Sequence, residues 1–304
     1  MKKILVFGST CVDHIITLDH LPVTGEDLHP TGQSMNLGGC ACNVAHVLKY
    51  SGAHFTFLTP VGSGIYGDFV RQKLTEHGFP ILISVPDQEN GCCYCLVEAT
   101  GERTFLSLHG AEYTFREEWL GRYSMDEYSM VYLCGLEVEE PTGEELVDYF
   151  ERCRGPQIFF APGPRWAKIP KNRLDRLFAL SPILHINEQE ALELSGETKM
   201  ETAARHIADR TANSVIITLG ERGACCLDRQ GTFFSVPGYP ATVVDTIGAG
   251  DSHIGAVLSC LQKGMDLKNA LNVANRISAA VVGNKGAILP EAKVQEIFRS
   301  YSQE

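Results

Sequence analysis

Val243-Val244-Asp245-Thr246-Ile247-Gly248-Ala249-Gly250-Asp251-Ser252-His253 joins an apolar run to a helical pattern through a turn of small residues. The apolar run reads as a strand ending at Val244, and residues 249–263 read as a helix. Gly248 and Gly250 let backbone come close to a ligand. The first N–H groups of a helix have no acceptor within it and carry the positive end of its dipole, so the turn is suited to an anion. Asp251 stands in that first turn. An Asp there stabilises a helix by about 0.3–1 kcal/mol whatever else it does, and that plain reading stays open. The Gly-Ala-Gly run, with Asp245 upstream on the same loop, favours chemistry as well. A carboxylate beside an oxyanion cradle suits taking a proton from an alcohol as a phosphoryl group arrives.

Working outward, short apolar runs at 4–7, 55–59, 130–133, 157–161, 183–186 and 214–218 read as strands buried on both faces. Amphipathic stretches at 41–51, 67–77, 143–154, 188–195, 203–211, 249–263, 267–282 and 292–300 read as helices. Their alternation predicts an α/β fold with a mostly parallel central sheet and helices on both faces. Two stretches break the rhythm. Residues 12–36 hold alternating segments and no helix, and residues 91–109 hold two alternating segments around Ala99-Thr100-Gly101-Glu102, a hairpin signal. They predict about four strands outside the main sheet, forming a small lid. With no linker, repeat or low-complexity tract, the expectation is one domain over 1–304 with that lid inserted.

The 304 residues carry a net charge of −11, with 44% apolar and 21% charged residues, values that exclude a disordered chain. A dispersed acidic balance argues against nucleic acid or an anionic membrane as partner. It does not oppose an anionic small ligand held locally. No apolar run reaches the roughly 20 residues of a spanning helix, and the N-terminal apolar run stops at Gly8, short of a secretory core. The 11 cysteines include Cys40, Cys42, Cys92, Cys93, Cys95, Cys225 and Cys226, without the paired spacing of a zinc site. They read as small buried hydrophobes of a reducing cytoplasm.

Asp245-Thr246-Ile247-Gly248-Ala249-Gly250-Asp251 resembles the D-T-x-G-A-G-D signature of the ribokinase-like (PfkB) carbohydrate kinases. Four further segments are similar to that family in order: Gly38-Gly39-Cys40-Ala41-Cys42-Asn43 to G-G-x-x-x-N, Val61-Gly62-Ser63-Gly64-Ile65-Tyr66-Gly67 to V-G-x-D-x-x-G with Gly64 in place of Asp, Asn187-Glu188-Gln189-Glu190 to N-x-x-E, and Thr218-Leu219-Gly220-Glu221-Arg222-Gly223 to T-x-G-x-x-G. The resemblance runs the length of the chain and implies a ribokinase-like fold and transfer of the γ-phosphoryl of ATP to a sugar hydroxyl, most often a hydroxymethyl. It makes Asp251 the base and the N–H groups of Gly248, Ala249 and Gly250 the cradle for the phosphoryl oxygens. Positioning and charge stabilisation do most of the work in such transfers.

By the same resemblance, Asn187 and Glu190 orient Mg²⁺, largely through water, and the nucleotide phosphates; a capping box would place the same two residues on one turn. Thr218, Gly220 and Gly223 touch the nucleotide, or simply connect strands, and Asn275 lines the adenine pocket. Asp245, Ile247, Val281, Asn284 and Gly286 match a loop cage that takes a monovalent cation such as K⁺ in several members. On the acceptor side Asp13, Gly39 and Asn43 match sugar-binding positions. Glu137 follows a strand where some sugar kinases present a Glu to substrate, or is a solvated loop residue. Arg165, alone after a buried strand, is a candidate to meet a phosphate.

Cys40 stands where ribokinases usually have Lys, Cys42 replaces the following Ala, and Ala161 stands where many members have Asp or Asn. These departures concern the acceptor and leave the transfer machinery intact. A nucleoside-type acceptor is the alternative within the family, and a homodimer through the lid is expected. Two other readings compete. Gly62-Ser63-Gly64-Ile65-Tyr66-Gly67 also satisfies G-x-G-x-x-G, a dinucleotide-binding pattern, but its acidic partner Asp87 falls in the polar stretch 86–90, read as a turn, and that reading leaves 245–251 unexplained. A non-catalytic sugar- or nucleotide-binding protein would not need the intact Asp251.

Overall fold

The computed structural model describes residues 1–153 and 155–301. Its strands are β1 (Lys3–Phe7), β2 (Cys11–Leu18), β3 (Gly32–Gly38), β4 (Phe55–Leu58), β5 (Pro60–Ser63), β6 (Ile83–Glu89) and β7 (Cys92–Glu98). They continue with β8 (Arg103–Leu108), β9 (Tyr128–Cys134), β10 (Gln157–Ala161), β11 (Ile183–Asn187), β12 (Val215–Thr218), β13 (Ala224–Leu227) and β14 (Phe233–Val236). The helices are α1 (Cys40–Tyr50), α2 (Gly64–Glu76), α3 (Glu117–Leu120), α4 (Gly135–Glu139), α5 (Gly143–Arg152) and α6 (Lys171–Ala179). After them come α7 (Glu188–Ser195), α8 (Met200–Thr211), α9 (Ala249–Gln262), α10 (Leu267–Val282) and α11 (Glu291–Tyr301). Of the stretch 143–154 expected as a helix, residue 154 lies outside the described residues. No described helix is long and apolar enough to cross a membrane.

Two compact units divide the chain. The first holds Met1–Phe7, Asn43–Phe57 and Phe115–Glu304, and the second holds Gly8–Cys42 and Leu58–Thr114. The large sheet runs β14-β13-β12-β11-β10-β9-β1-β4. β1, β9, β10, β11 and β12 pair in parallel, and β13 and β14 add an antiparallel edge. All six apolar runs singled out in the sequence lie in this sheet. They are mostly apolar because burial on both faces of the sheet leaves little room for polar side chains: Val131, Phe160, Val215, Ile216 and Ile217 have no exposed surface. β13 gives no such signal, since Ala224 and two cysteines stand where β-branched residues usually mark a strand. α6 also escapes the pattern, because its first turn is Lys171-Asn172-Arg173. Arg173 is nonetheless buried and donates to the carbonyls of Val138, Glu139 and Glu140, which satisfies the otherwise open end of α4.

In the second unit the segments 12–36 and 91–109 supply the four strands of a separate small sheet, ordered β3-β2-β7-β8. β2 and β7 are parallel, and β3 and β8 flank them antiparallel. The β7–β8 turn closes where expected, with Gly101 N donating to Glu98 O at 2.8 Å. The unit is wider than those two segments because β5, α2 and β6 form a parallel β–α–β element within it. This corrects the reading of 86–90 as a turn: residues up to Glu89 belong to β6, an edge strand, where Pro86 withholds no needed donor. Glu112, fully buried, accepts from Asn90 Nδ2, Gly91 N and Gly110 N and ties this element to the small sheet. Burial raises its pKa above the ordinary carboxylate value despite those donors.

None of the 11 cysteines is in a disulfide, and eight of them are buried. Burial raises the thiols of Cys11, Cys225, Cys226 and Cys260, so these behave as inert core residues.

Candidate active site

The helix α9 begins from Gly248, whose φ of +73° suits only glycine without strain. A Cβ built there would also lie 2.4 Å from Ala287 Cβ, so the position is glycine for packing as well as for conformation. Ser252 N donates to Gly248 O at 2.8 Å, which closes the first full turn. Gly250 is exposed, and a Cβ on it would meet nothing within 4 Å. The strand expected before this turn is absent. Val243 and Val244 are 70% and 55% exposed and lie in no sheet. The N–H groups of Val244 and Asp245 instead both donate to Val282 O, at 2.9 and 3.1 Å, so the segment hangs from the end of α10.

Asp251 is met by a residue far away in sequence. Asn43, in the first turn of α1, donates from Nδ2 to Asp251 Oδ2 at 2.9 Å. Its own Oδ1 is buried and has no hydrogen-bond partner. A buried acceptor left in that state is uncommon and points to a donor supplied by something bound.

Asp245 holds the turn from beneath. Its Oδ1 accepts from Ile247 N at 2.9 Å and its Oδ2 from Gly286 N at 3.2 Å. The two loops expected to share a cation are therefore tied by one buried carboxylate. Asn284 N donates to Val281 O, and Asn284 Nδ2 lies 3.1–3.2 Å from the carbonyls of Lys285, Gly286 and Ile288.

Asn187 and Glu190 form a complete capping box at the start of α7. Asn187 Oδ1 accepts from Glu190 N at 2.8 Å, and Glu190 Oε2 accepts from Asn187 N at 3.0 Å. Asn187 Nδ2 adds a bond to Oε1 at 2.8 Å. Burial raises the Glu190 pKa above its ordinary value. Thr218 ends β12, with its hydroxyl 3.5 Å from Ile186 O. The turn after it is closed by Leu219 N to Gly223 O at 2.7 Å and needs Gly223, at φ +91°, because a Cβ there would meet Val236 O at 2.2 Å. Asn275 is buried, with Nδ2 donating to Val236 O and Pro237 O and Oδ1 facing His253 Nε2 at 3.1 Å. Among the described residues no group of three or more His, Cys, Asp or Glu is arranged to hold a metal ion.

Of the acceptor candidates in the first unit, Glu137 is 1% exposed on α4, so the solvated-loop alternative does not hold. Arg165 lies on a short 3-10 turn and is gripped by both carboxylate oxygens of Glu139. In the second unit, Asp13 is on β2 opposite Asn36, and its carboxylate reaches within 2.1 Å of where a Cβ on Gly38 would stand. Gly39, at φ +99°, leaves 2.5 Å between a notional Cβ and Ser9 O. Glu139, His185 and His253 give little warning in the sequence. The one signal is a histidine inside an otherwise apolar run at Leu184-His185-Ile186.

A family model described as pfkB family carbohydrate kinase matches residues 1–293. The chain belongs to the pfkB family of carbohydrate kinases. A protein described as an uncharacterized sugar kinase, YegV of Escherichia coli K12, is 34% identical to the kinase over 290 residues, covering 94% of this chain and 90% of the relative. The ribokinase of Thermotoga maritima superposes with a TM-score of 0.84 at 23% identity, covering all of both chains. A nucleoside kinase of Burkholderia thailandensis, solved with inosine, superposes with a TM-score of 0.75 at 20% identity over 98% of both. The kinase is thus a sugar kinase of ribokinase fold, a phosphotransferase with an alcohol acceptor. The dinucleotide-binding and non-catalytic readings find no support.

Proposed function

We propose that Asp251 takes the proton from the acceptor hydroxyl as the γ-phosphoryl of ATP arrives at the amides of Gly248, Ala249 and Gly250. The observation that carries this is the Asn43–Asp251 hydrogen bond at the head of the glycine-capped helix, with Asn43 Oδ1 left unfilled. Asn43 fixes Oδ2 of the Asp251 carboxylate at the head of the helix. A hydroxyl approaching Asp251 can be oriented by the Asn43 amide. An ordinary Asp, with a pKa of about 3.9, is a weak base for a free alcohol, but it suffices when the proton leaves late in a loose transition state.

The nucleotide side falls to Asn187, Thr218, Gly220, Gly223 and Asn275. Mg²⁺, when bound, neutralises charge on the transferred phosphoryl. Glu190 fits it through water: it is one buried carboxylate, its oxygens are already oriented by the capping box, and Mg²⁺ keeps most of its waters. The loops of Asp245, Ile247, Val281, Asn284 and Gly286 are the candidate for K⁺, supported by the carbonyls gathered around Asn284 Nδ2. Within the first unit, Asn43, Glu137 and the Glu139-held Arg165 are candidates to bind the acceptor; within the second, Asp13 and Gly39 are candidates by the family resemblance alone. A reducing cytoplasm, where ATP and unpaired thiols coexist, is the proposed place of work.

Purified protein with ATP and Mg²⁺ against a panel of free sugars, sugar phosphates and nucleosides is expected to release ADP with at least one neutral acceptor. EDTA is expected to abolish the release. No ADP with any acceptor would sink the reading. We also propose dimerisation through the small sheet. Met35, Leu106 and Leu108 share one face of it, through the rows Met35–His14–Tyr94–Leu106 and Cys92–Leu108, and are 36%, 57% and 59% exposed. Light scattering at micromolar concentration is expected to give twice the chain mass, and Leu106→Lys to give the single mass. A wild-type monomer would overturn the dimer.

A further inference from the structure

Two buried histidines take no part in the chemistry above. His185 on β11 and His253 on α9 are 5% and 1% exposed, and each shares its element with a proposed site residue, Asn187 and Asp251. Nε2 of His185 lies 2.8 Å from Nδ1 of His253, and Nε2 of His253 lies 3.1 Å from Oδ1 of Asn275. The protons follow by elimination. Asn275 directs Nδ2 at two carbonyls, Val236 O at 3.1 Å and Pro237 O at 3.0 Å, so its oxygen must face the ring. His253 therefore carries its proton on Nε2. A neutral imidazole has only one, so Nδ1 is bare and accepts from Nε2–H of His185. Burial keeps both rings neutral, with His253 pushed down to about 4 and His185 well below the usual value.

The chain of bonds has a direction and an end point. It runs from β11 through α9 and α10 to the backbone at the end of β14. That backbone packs against the 218–223 turn, since a Cβ on Gly223 would meet Val236 O at 2.2 Å and Gly238 N at 2.4 Å. We propose that His253 is a positioning residue: through the chain His185→His253→Asn275→Val236/Pro237 it fixes α9, and with it Asp251, in register with the nucleotide-side turn. The inference rests on the reading of 218–223 as a nucleotide element.

Three substitutions separate the bonds. His253→Phe keeps a ring and loses both bonds. His253→Gln keeps an amide N–H at the ε position for Asn275, and His253→Asn keeps only an acceptor at the δ position for His185. Phe and Asn both lose the bond to Asn275 and are expected to raise KM for ATP and lower kcat, each by about tenfold, the scale of losing that buried hydrogen bond. KM for the acceptor is expected to hold, and Gln to keep KM for ATP near the wild-type value. Equal effects of Phe and Gln, unchanged kinetics in all three, or both KM values moving together would overturn the proposal. A ¹⁵N spectrum of the wild-type imidazoles is expected to show His253 protonated at Nε2 and bare at Nδ1. The opposite tautomer removes the chain of bonds even if every variant misfolds, and leaves the kinase reading standing. Wild-type protein without ADP release sinks the kinase reading and leaves the tautomer result intact.

Discussion

Asp251→Asn is expected to lower kcat by about 10³-fold, within the range a positioned base contributes, while ATP binding and the folded state persist. The change is isosteric, and the new amide can present its oxygen to Asn43 Nδ2, so the 2.9 Å contact that orients the side chain survives. What disappears is an oxygen able to accept a proton. The plain reading of the residue, a carboxylate favoured by a helix N-terminus, makes a different prediction. Losing that interaction costs about 0.3–1 kcal/mol of stability and nothing in turnover. The two readings are therefore separated by measuring three quantities on one variant: kcat from ADP release, nucleotide affinity by calorimetry, and Tm. A variant with a slightly lower Tm and normal kcat would place the base elsewhere. Loss of kcat together with ATP affinity would instead implicate the phosphoryl cradle, because the added amide hydrogens would then disturb the turn itself.

What the sequence discloses about such a site depends on how local the geometry is. The turn from Gly248 to Asp251 can be recognised from its residues because cap, small residues and carboxylate are neighbours in the chain. The Asn187–Glu190 box is similarly local, and it is found as the capping alternative describes, with the side chains bonded to each other. The parallel strands are legible because burial on both faces leaves unbroken apolar runs. Contacts between distant segments leave no such mark. Asn43 and Asp251 are 208 residues apart, and His185 and His253 are 68 apart. Arg165 looks solitary in sequence and is paired with Glu139. Val243 and Val244 mislead for a related reason. Their apolarity suggests a strand, but Val244, tethered with Asp245 to Val282 O, and Val243 beside it lie in no sheet. Pro86 misleads in the opposite sense, since a proline is tolerated wherever a strand has a free edge.

Gly248→Ala is expected to damage both fold and turnover, and Gly250→Ala turnover alone. At Gly248 the backbone sits at φ +73°, which costs an alanine about 1–2 kcal/mol. The new methyl would stand 2.4 Å from Ala287 Cβ and 3.2 Å from Asn43 Nδ2. Overpacking of that kind typically costs about 1–3 kcal/mol more. Whichever neighbour yields, the site changes, because Asn43 orients Asp251 and the 284–286 loop is bonded to Asp245. At Gly250 there is no positive φ and nothing within 4 Å, so alanine raises helix propensity by up to about 1 kcal/mol and Tm is expected to hold or rise. On the proposed reading that methyl stands where the phosphoryl group docks, and a fall in kcat of about 10²-fold, comparable in scale to weakening one oxyanion contact, is expected. Ala287→Gly added to Gly248→Ala removes the methyl–methyl clash but not the backbone strain. The double variant should therefore regain the packing part of the lost Tm and fall short of wild type by the conformational part. A single Gly248→Ala variant with wild-type Tm would show that the turn takes another conformation, and with it that Asp251 and the amide cradle are not held as the structure describes.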